Sequence, residues 1–412
     1  MQSTFADLGV SADVVDHLAS RGIHDAFPIQ AGTIPSGLAG ADVCGRAATG
    51  SGKTLAFGIP LAALVNRARP ARPRALVLVP TRELAAQIGN ELAPLLALRQ
   101  RSVATFYGGV GFTPQLKVLR RGVDVAVACP GRLTDLVQRG VLKLDDVEIV
   151  VLDEADRMAD MGFLPEVRRI LDAVRPDRQT LLFSATLDGA VDVLIRRYQQ
   201  NPVRCEITPP QEDIDRTTHL FLETGREERV ARTAELVQKH GSTVVFCRTK
   251  HGADRLTTQL ARAGVSAVAI HGNRSQAQRD RALAAFAGRS VQALIATDVA
   301  ARGIHVDDVG CVVHYDPPAD AKDYVHRSGR TGRAGNSGVV VSFVTEGEAG
   351  NARTLQRSLG MPVEGREDKG SSARRARRGP QPTPPSRGRF GRPSGSGGGH
   401  GGQGGTRSRS GR

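Results

Sequence analysis

The segment Ala47-Ala-Thr-Gly-Ser-Gly-Lys-Thr54 has the make-up of a loop that holds phosphate. Gly50 and Gly52 let backbone N–H groups turn inward around phosphate oxygens, and a helix starting directly after them adds partial positive charge. Ala48, Thr49 and Ser51 complete the cradle. Lys53 can reach the β- and γ-phosphates of a nucleoside triphosphate, and the Thr54 hydroxyl can serve Mg²⁺. Ala47 stands where the usual pattern begins with glycine. Further on, the apolar run Glu148-Ile-Val-Val-Leu152 ends in Asp153 and Glu154. Asp153 is placed to hold Mg²⁺ through water, and Glu154 to orient and deprotonate an attacking water. Asp156 either contacts the segment Ser184-Ala-Thr186 or caps the next helix. The chemistry these residues imply is hydrolysis of a nucleoside triphosphate.

Such groups need strands to carry them and helices to follow. Short apolar runs recur at Arg74–Pro80, Val103–Tyr107, Val123–Cys129, Glu148–Leu152 and Gln179–Phe183. Amphipathic stretches such as Arg82–Leu96 and Phe163–Ala173 lie between them. A second set follows at His219–Leu222, Thr243–Phe246, Ala267–Ile270, Ala293–Ala296, Cys311–His314 and Val339–Phe343, with helices expected at Glu227–Lys239, Gly252–Ala263 and Gln276–Phe286. Runs apolar on both faces, alternating with helical segments, predict parallel sheets covered by helices. The fold class expected is α/β: two tandem domains, 1–208 and 209–362, with a break near Pro209 where Pro202, Pro209 and Pro210 exclude a continuous helix. From 363 to 412 the chain is dominated by Arg, Gly, Ser and Pro, and a disordered tail is expected there.

The net charge of the 412 residues is +14, unevenly spread. Eleven of the 56 Lys and Arg lie between Lys369 and Arg412, a stretch without Asp or Glu. The first 368 residues therefore carry 45 basic against 42 acidic groups. A nearly balanced body with a basic tail favours a polyanionic partner. No apolar run approaches the ~18 residues of a membrane helix. The start, Met1 to Val10, has neither a basic nor an apolar leader region, so no secretory signal is expected. Five dispersed cysteines without a C-x-x-C pair argue against zinc spacings and a disulfide framework, and fit a reducing cytoplasm.

Asp153-Glu-Ala-Asp156 together with the phosphate loop resembles the DEAD-box RNA helicases of superfamily 2, and the resemblance extends over roughly residues 5–345. Pro80-Thr-Arg-Glu-Leu-Ala85 resembles that family's motif Ia, Gly108-Gly109 its GG element, Pro130-Gly-Arg132 motif Ib and Ser184-Ala-Thr186 motif III. In the second half, Val244–Thr249 resembles motif IV, followed by His271-Gly272 and the Gln276…Arg279 pair. Ala296–Gly303 resembles motif V and His326–Arg333 motif VI. Phe27-Pro-Ile-Gln30 resembles the end of the Q motif. The chain departs from the family where Phe27 and Cys129 replace Thr, His305 replaces Asp and Ser328 replaces Ile.

The resemblance implies two RecA-like domains and the roles that follow. Gln30 reads the adenine edge, which a carboxamide can do by donating and accepting together, and Phe5 packs on the ring. Arg330 and Arg333 act as arginine fingers on the γ-phosphate. Ser184, Thr186 and His326 couple the ATP and RNA sites. RNA is gripped by Arg82, Gly109, Gly131 and Arg132 on the first domain and by Arg248, Gly272, Arg279 and Thr297 on the second. Such contacts address phosphates and tolerate any sequence. The implied activity is RNA-stimulated hydrolysis of ATP with Mg²⁺, coupled to local, non-processive unwinding of short RNA duplexes; an ATP-gated RNA clamp or annealing chaperone, or a DNA-directed helicase, remain as alternatives. Ribosomal precursors and the RNA-decay machinery are the partners implied. The chain most resembles the short bacterial RhlE-type members, whose tail carries no folded RNA reader.

Overall fold

The computed structural model describes residues 3–48, 50–187, 189–207, 217–301, 309–332 and 338–362. The expected domain break near Pro209, Thr49, His305, Arg333 and the tail beyond 362 lie outside them. Two sheets organise the described chain. The first contains β1 (Val43–Arg46), β2 (Ala75–Leu78), β3 (Val103–Phe106), β4 (Val125–Ala128), β5 (Ile149–Asp153), β6 (Gln179–Ser184) and β7 (Val203–Glu206). Their order is β3-β4-β2-β5-β6-β1-β7, and every pairing is parallel. The second contains β8 (Thr217–Glu223), β9 (Thr243–Phe246), β10 (Ala267–Ile270), β11 (Ala293–Ala296), β12 (Cys311–His314) and β13 (Gly338–Val344), ordered β10-β11-β9-β12-β13-β8 and again all parallel.

The strands read as unbroken apolar runs because both faces of each sheet are covered. Val77 and Val151 enter one core of the first sheet, while Leu76, Leu78, Val150 and Leu152 enter the core on its other face. The second sheet divides in the same way. Val245, Ile295 and Val313 lie on one face, and Val244, Phe246, Leu294 and Val312 on the other. This is the period-two alternation of a pleated strand, with helices on both sides.

Register decides where the chemistry lies. Arg46 is opposite Ser184, and Asp153 is opposite Phe183, so the C-terminal ends of β1, β5 and β6 stand side by side. The phosphate loop, the acid pair and the Ser184–Thr186 segment all leave from that edge, where open α/β sheets place ligands. The helices that follow are capped by the residues at the strand exits. Thr81 accepts from the Leu84 N–H at the start of Arg82–Leu98, and Thr249 accepts from the Gly252 N–H at the start of Lys250–Arg262. Ser275 and Gln278 form a capping box for Gln276–Ala287.

The edge strands β7 and β8 contain no buried residue and escape the apolar pattern. β7 pairs with β1 at the edge of the first sheet, and Val203, Arg204 and Glu206 are exposed. With a single neighbour and solvent on its other side, it needs no apolar run, and the sequence reads as linker.

Candidate functional site

The phosphate loop is anchored at its base by the Ala47 N–H, which donates to the Ser184 carbonyl at 3.1 Å. Gly50 and Gly52 sit at φ 86° and 83°, the left-handed region that glycine enters without strain. Gly52 caps the helix Lys53–Leu64. A side chain there would collide with Phe27 Cδ2, 2.6 Å from the Cβ position, and with the Gln30 amide. Lys53 is buried, and its ammonium donates to the carbonyls of Ala47 at 2.9 Å and Ala48 at 3.4 Å. The Ser51 hydroxyl donates to the Ala48 carbonyl. Lys53 is thus held inside the turn of its own loop, with Thr54 beside it on the first turn of the helix.

β5, buried along its whole length, delivers Asp153 to the same edge. Burial pushes the Asp153 carboxyl up to about 7, against the opposing charge of Lys53 and with the like charge of Glu154 adding to it. A buried carboxylate of this kind gains from a nearby cation. Glu154 has φ 54° and ψ 49°, uncommon for a residue with a side chain. Its N–H donates to Asp153 Oδ1 at 3.0 Å. Arg157 Nη1 donates to both of its carboxylate oxygens, at 2.9 and 2.8 Å. Asp156 meets Ser184 through its backbone: its N–H donates to the Ser184 hydroxyl at 3.2 Å. Its Oδ1 accepts from the Arg157 N–H, and its buried Oδ2 has no hydrogen-bond partner. Thr186 is half-buried just beyond the end of β6.

Arg157 also lines a pocket with Phe246, Asp298, Ala301, Asp323, His326, Arg327 and Arg330. The base-bearing acid, through its arginine, therefore faces the segment that carries His326 and Arg330. Arg330 is buried there. Arg327 is fixed by a fork to Asp298, at 2.6 and 2.8 Å, by a bond to the Asp316 carbonyl, and by the Phe246 ring 5.2 Å beneath it. Arg157 and Arg327 are positioning residues the sequence does not single out. Both lie inside quoted motifs or directly beside one, and only the geometry shows that they hold their neighbours.

Gln30 performs two tasks at the start of the helix Pro28–Leu38. Its Oε1 accepts from the Phe27 N–H at 2.8 Å, and its Nε2 donates to the Gly52 carbonyl at 2.9 Å. It thus ties the helix to the phosphate loop. Phe5 differs from expectation. It is 1 % exposed and belongs to the first core with Leu8, Val10 and Leu18, so its ring offers no open face to a base.

Arg82, Gly109 and Arg132 gather on one patch. The Arg82 guanidinium lies against the Cα of Gly109, whose φ is 80°. Arg132 donates to the Val110 carbonyl at 3.3 and 3.2 Å and stacks 4.2 Å from the centre of the Phe112 ring. Gly131 is exposed beside it, with open space at its Cα. On the second domain Arg248 and Gly272 are exposed and Thr297 is half-buried. Arg279 departs from the expected role. It is buried and paired with Glu83 at 2.8 Å, and Gln276 Nε2 donates to the same carboxylate at 3.3 Å. Its charge is paired with a carboxylate of the first domain.

Comparison with known proteins agrees with this arrangement. Residues 27–193 match the DEAD/DEAH box helicase family model, and residues 227–335 match the helicase conserved C-terminal domain. The DEAD-box ATP-dependent RNA helicase CshA of Geobacillus kaustophilus is 39% identical over 364 residues, covering 88% of this chain and 78% of that protein. Its namesake in Bacillus subtilis is 38% identical, covering 87% and 73%. Among solved structures, Saccharomyces cerevisiae Dbp5 bound to RNA and ADP BeF3 superposes with a TM-score of 0.77 at 29% identity, covering 87% of this chain and 94% of that one. A DEAD box protein from the hyperthermophile Methanococcus jannaschii gives 0.53 at 35% identity, covering 88% and 99%.

Proposed function

The chain belongs to the DEAD-box family of ATP-dependent RNA helicases, and from that premise we propose that its ATP cycle drives local, non-processive separation of short RNA duplexes. The observation that carries the reading is the shared pocket, in which Arg157, the partner of Glu154, meets His326, Arg327 and Arg330 of the second domain. The Lys53 ammonium and the loop N–H groups bind the terminal phosphates. Glu154 takes a proton from water. Arg330, with Arg333, neutralises charge on the γ-phosphoryl, an effect worth roughly 10³–10⁵ in rate in comparable systems. Because acid and arginine come from different domains, hydrolysis requires both to be seated on one nucleotide.

The donors present fit Mg²⁺. Thr54 and Asp153 supply hard oxygens, and no cluster of three His, Cys, Asp or Glu able to hold a metal occurs among the described residues. A small ion that keeps its waters and leans on substrate phosphates needs no protein cage. Such an ion, held by Thr54 and Asp153, would offset negative charge on the substrate's terminal phosphates.

RNA is held along Arg82, Gly109, Gly131 and Arg132, and on the second domain by Arg248, Gly272 and Thr297. Ser184, hydrogen-bonded to the Asp156 N–H, and Thr186 carry the state of the acid pair toward this surface, and His326 does so from the second domain. Reciprocal coupling of ATP and RNA affinity follows from one shared closed state. Five free cysteines support a reducing, cytoplasmic setting. No described helix is long and apolar enough to cross a membrane. Ribosomal precursors or decay substrates are the RNAs proposed, and the RhlE-type likeness rests on the tail. Strand displacement on a short RNA duplex is the test. ATP-dependent displacement is expected; RNA-stimulated hydrolysis without it would leave an RNA clamp in place of an unwinding enzyme.

A further inference from the structure

Phe27 stands against the phosphate loop, at a position where the family usually carries threonine. Phe27 is 54 % exposed, and it is the one exposed aromatic side chain among the described residues. An exposed ring of this size can be covered by a ligand or by a partner surface. Its setting identifies which. Cδ2 of the ring packs against Gly52, the residue that caps the phosphate-loop helix, and the Gln30 amide approaches the same glycine. The backbone beneath the ring is fixed: the Phe27 N–H donates to Gln30 Oε1, and Pro28 follows. Gln30 is 2 % exposed and holds this arrangement from beneath. Its Nε2 spends one of two donors on the Gly52 carbonyl, and its Oε1 spends one of two lone pairs on the Phe27 N–H. Phe5, the aromatic the family resemblance assigns to the base, is sealed in the core at 1 % exposed.

We propose that Phe27 is the aromatic platform for the nucleotide base: a purine stacks on its open face, over the backbone that the Gln30 amide ties to the phosphate loop. The proposal rests on the ATP-hydrolysing reading and adds to it the group that grips the base. A phenyl ring in place of threonine moves the stacking surface from the interior to the rim of the site. Purine nucleotides then gain over pyrimidine nucleotides by stacking area.

The chain has no tryptophan, so Phe27→Trp in the full-length protein installs a sole indole at the proposed platform. Titration with ADP and Mg²⁺ is expected to quench its emission saturably. Inorganic tripolyphosphate, which can fill the phosphate loop without a base, is expected not to. By calorimetry Phe27→Leu should raise the Kd for ADP roughly tenfold, the order of one lost base–aromatic stack, and should narrow the preference for ADP over UDP. An indole signal unmoved by ADP, an equal response to tripolyphosphate, or an unchanged Kd in Phe27→Leu overturns the platform. A Kd that rises in Phe5→Leu and not in Phe27→Leu returns the role to the core residue. Wild-type protein that binds no ADP would instead overturn the ATP-hydrolysing reading itself, and the two failures are therefore distinguishable.

Discussion

Arg157 grips Glu154 with a single guanidinium nitrogen that donates to both carboxylate oxygens, and both side chains are almost wholly buried. The two lie three residues apart across the first turn of a short helix, with Glu154 in a left-handed backbone conformation. The pair fixes the direction of the carboxylate that must meet water. Arg157→Ala leaves a buried charge without its counterion, which costs about 3–5 kcal/mol of stability. Loss of orientation at the base should also lower kcat for RNA-stimulated ATP hydrolysis about 10²-fold while KM for ATP changes little. Urea unfolding and steady-state ATPase measure the two effects. Wild-type kcat in a folded Arg157→Ala protein would show that the pair is structural alone.

Lys53 and Glu154 divide binding from chemistry. Lys53→Ala removes the buried ammonium of the phosphate loop, so both ADP affinity and turnover should fall. Glu154→Gln keeps the shape and removes the base. It should reduce hydrolysis at least 10²-fold while ATP still binds and still raises RNA affinity. Nucleotide titration beside a phosphate-release assay separates them, and full turnover in either variant would contradict the assigned roles.

Much of this site can be read in the chain because its parts follow strands buried on both faces. Val150, Val151 and Leu152 announce β5, and Asp153 and Glu154 can only lie at its end. What stayed hidden depends on partners distant in sequence. β7 has one neighbour and exposed side chains, so no apolar run marks it. Phe5 is singled out by the family resemblance, yet burial is decided by the residues that close over it. Arg279 satisfies a motif, but its partner Glu83 lies on the other domain. Arg157 is a plain basic residue until its guanidinium is seen to reach back one helical turn.

The Glu83–Arg279 pair yields opposite expectations for two roles. As a tie between domains, Arg279→Ala and Glu83→Ala should each lower RNA-stimulated ATPase about tenfold, by ~1.4 kcal/mol of coupling. The reversed pair, Glu83→Arg with Arg279→Glu, should recover part of it. The salt dependence of RNA affinity should not change in Arg279→Ala. A phosphate ligand would instead lower that slope by about one unit, with no rescue by reversal.

The 44 residues from Lys369 to Arg412 carry 11 positive charges and no negative ones. Each phosphate contact on single-stranded nucleic acid contributes ~0.7 to the slope of log K against log salt. Engagement of even half of those charges means that deleting the segment flattens the slope by about 4. ATPase at saturating RNA should be spared, because every residue assigned to hydrolysis lies before it. Fluorescence anisotropy with a short RNA at several salt concentrations reads the slope, and an unchanged value would make the segment a bystander.

The second domain should lose stability in mild acid through His314. This histidine is fully buried, with Nδ1 bonded to the Ser342 hydroxyl at 2.8 Å and Nε2 without a partner, so an added proton finds no acceptor. Burial holds it well below the ordinary histidine range, and the charges of Arg327 and His219 push the same way. His219, bonded to the Tyr324 hydroxyl, is lowered by burial too. Above pH ~6.5 folded and unfolded chains are both neutral at these positions, and nothing is lost. As pH falls below that value the unfolded chain binds protons that the folded one refuses. Stability then declines with a slope approaching ~1.4 kcal/mol per pH unit for each histidine. Carboxylates with lowered values titrate further down, while Asp153, pushed up to about 7, takes up its proton in the fold over the same window and offsets part of the decline. That offset is common to wild type and variant, so the difference between them isolates the imidazole. In urea unfolding, His314→Phe should be less stable than wild type at pH 7.5, because the Ser342 hydroxyl loses its bond to the imidazole, and should show the shallower decline. Parallel declines in the two proteins would mean that His314 takes up its proton in the fold.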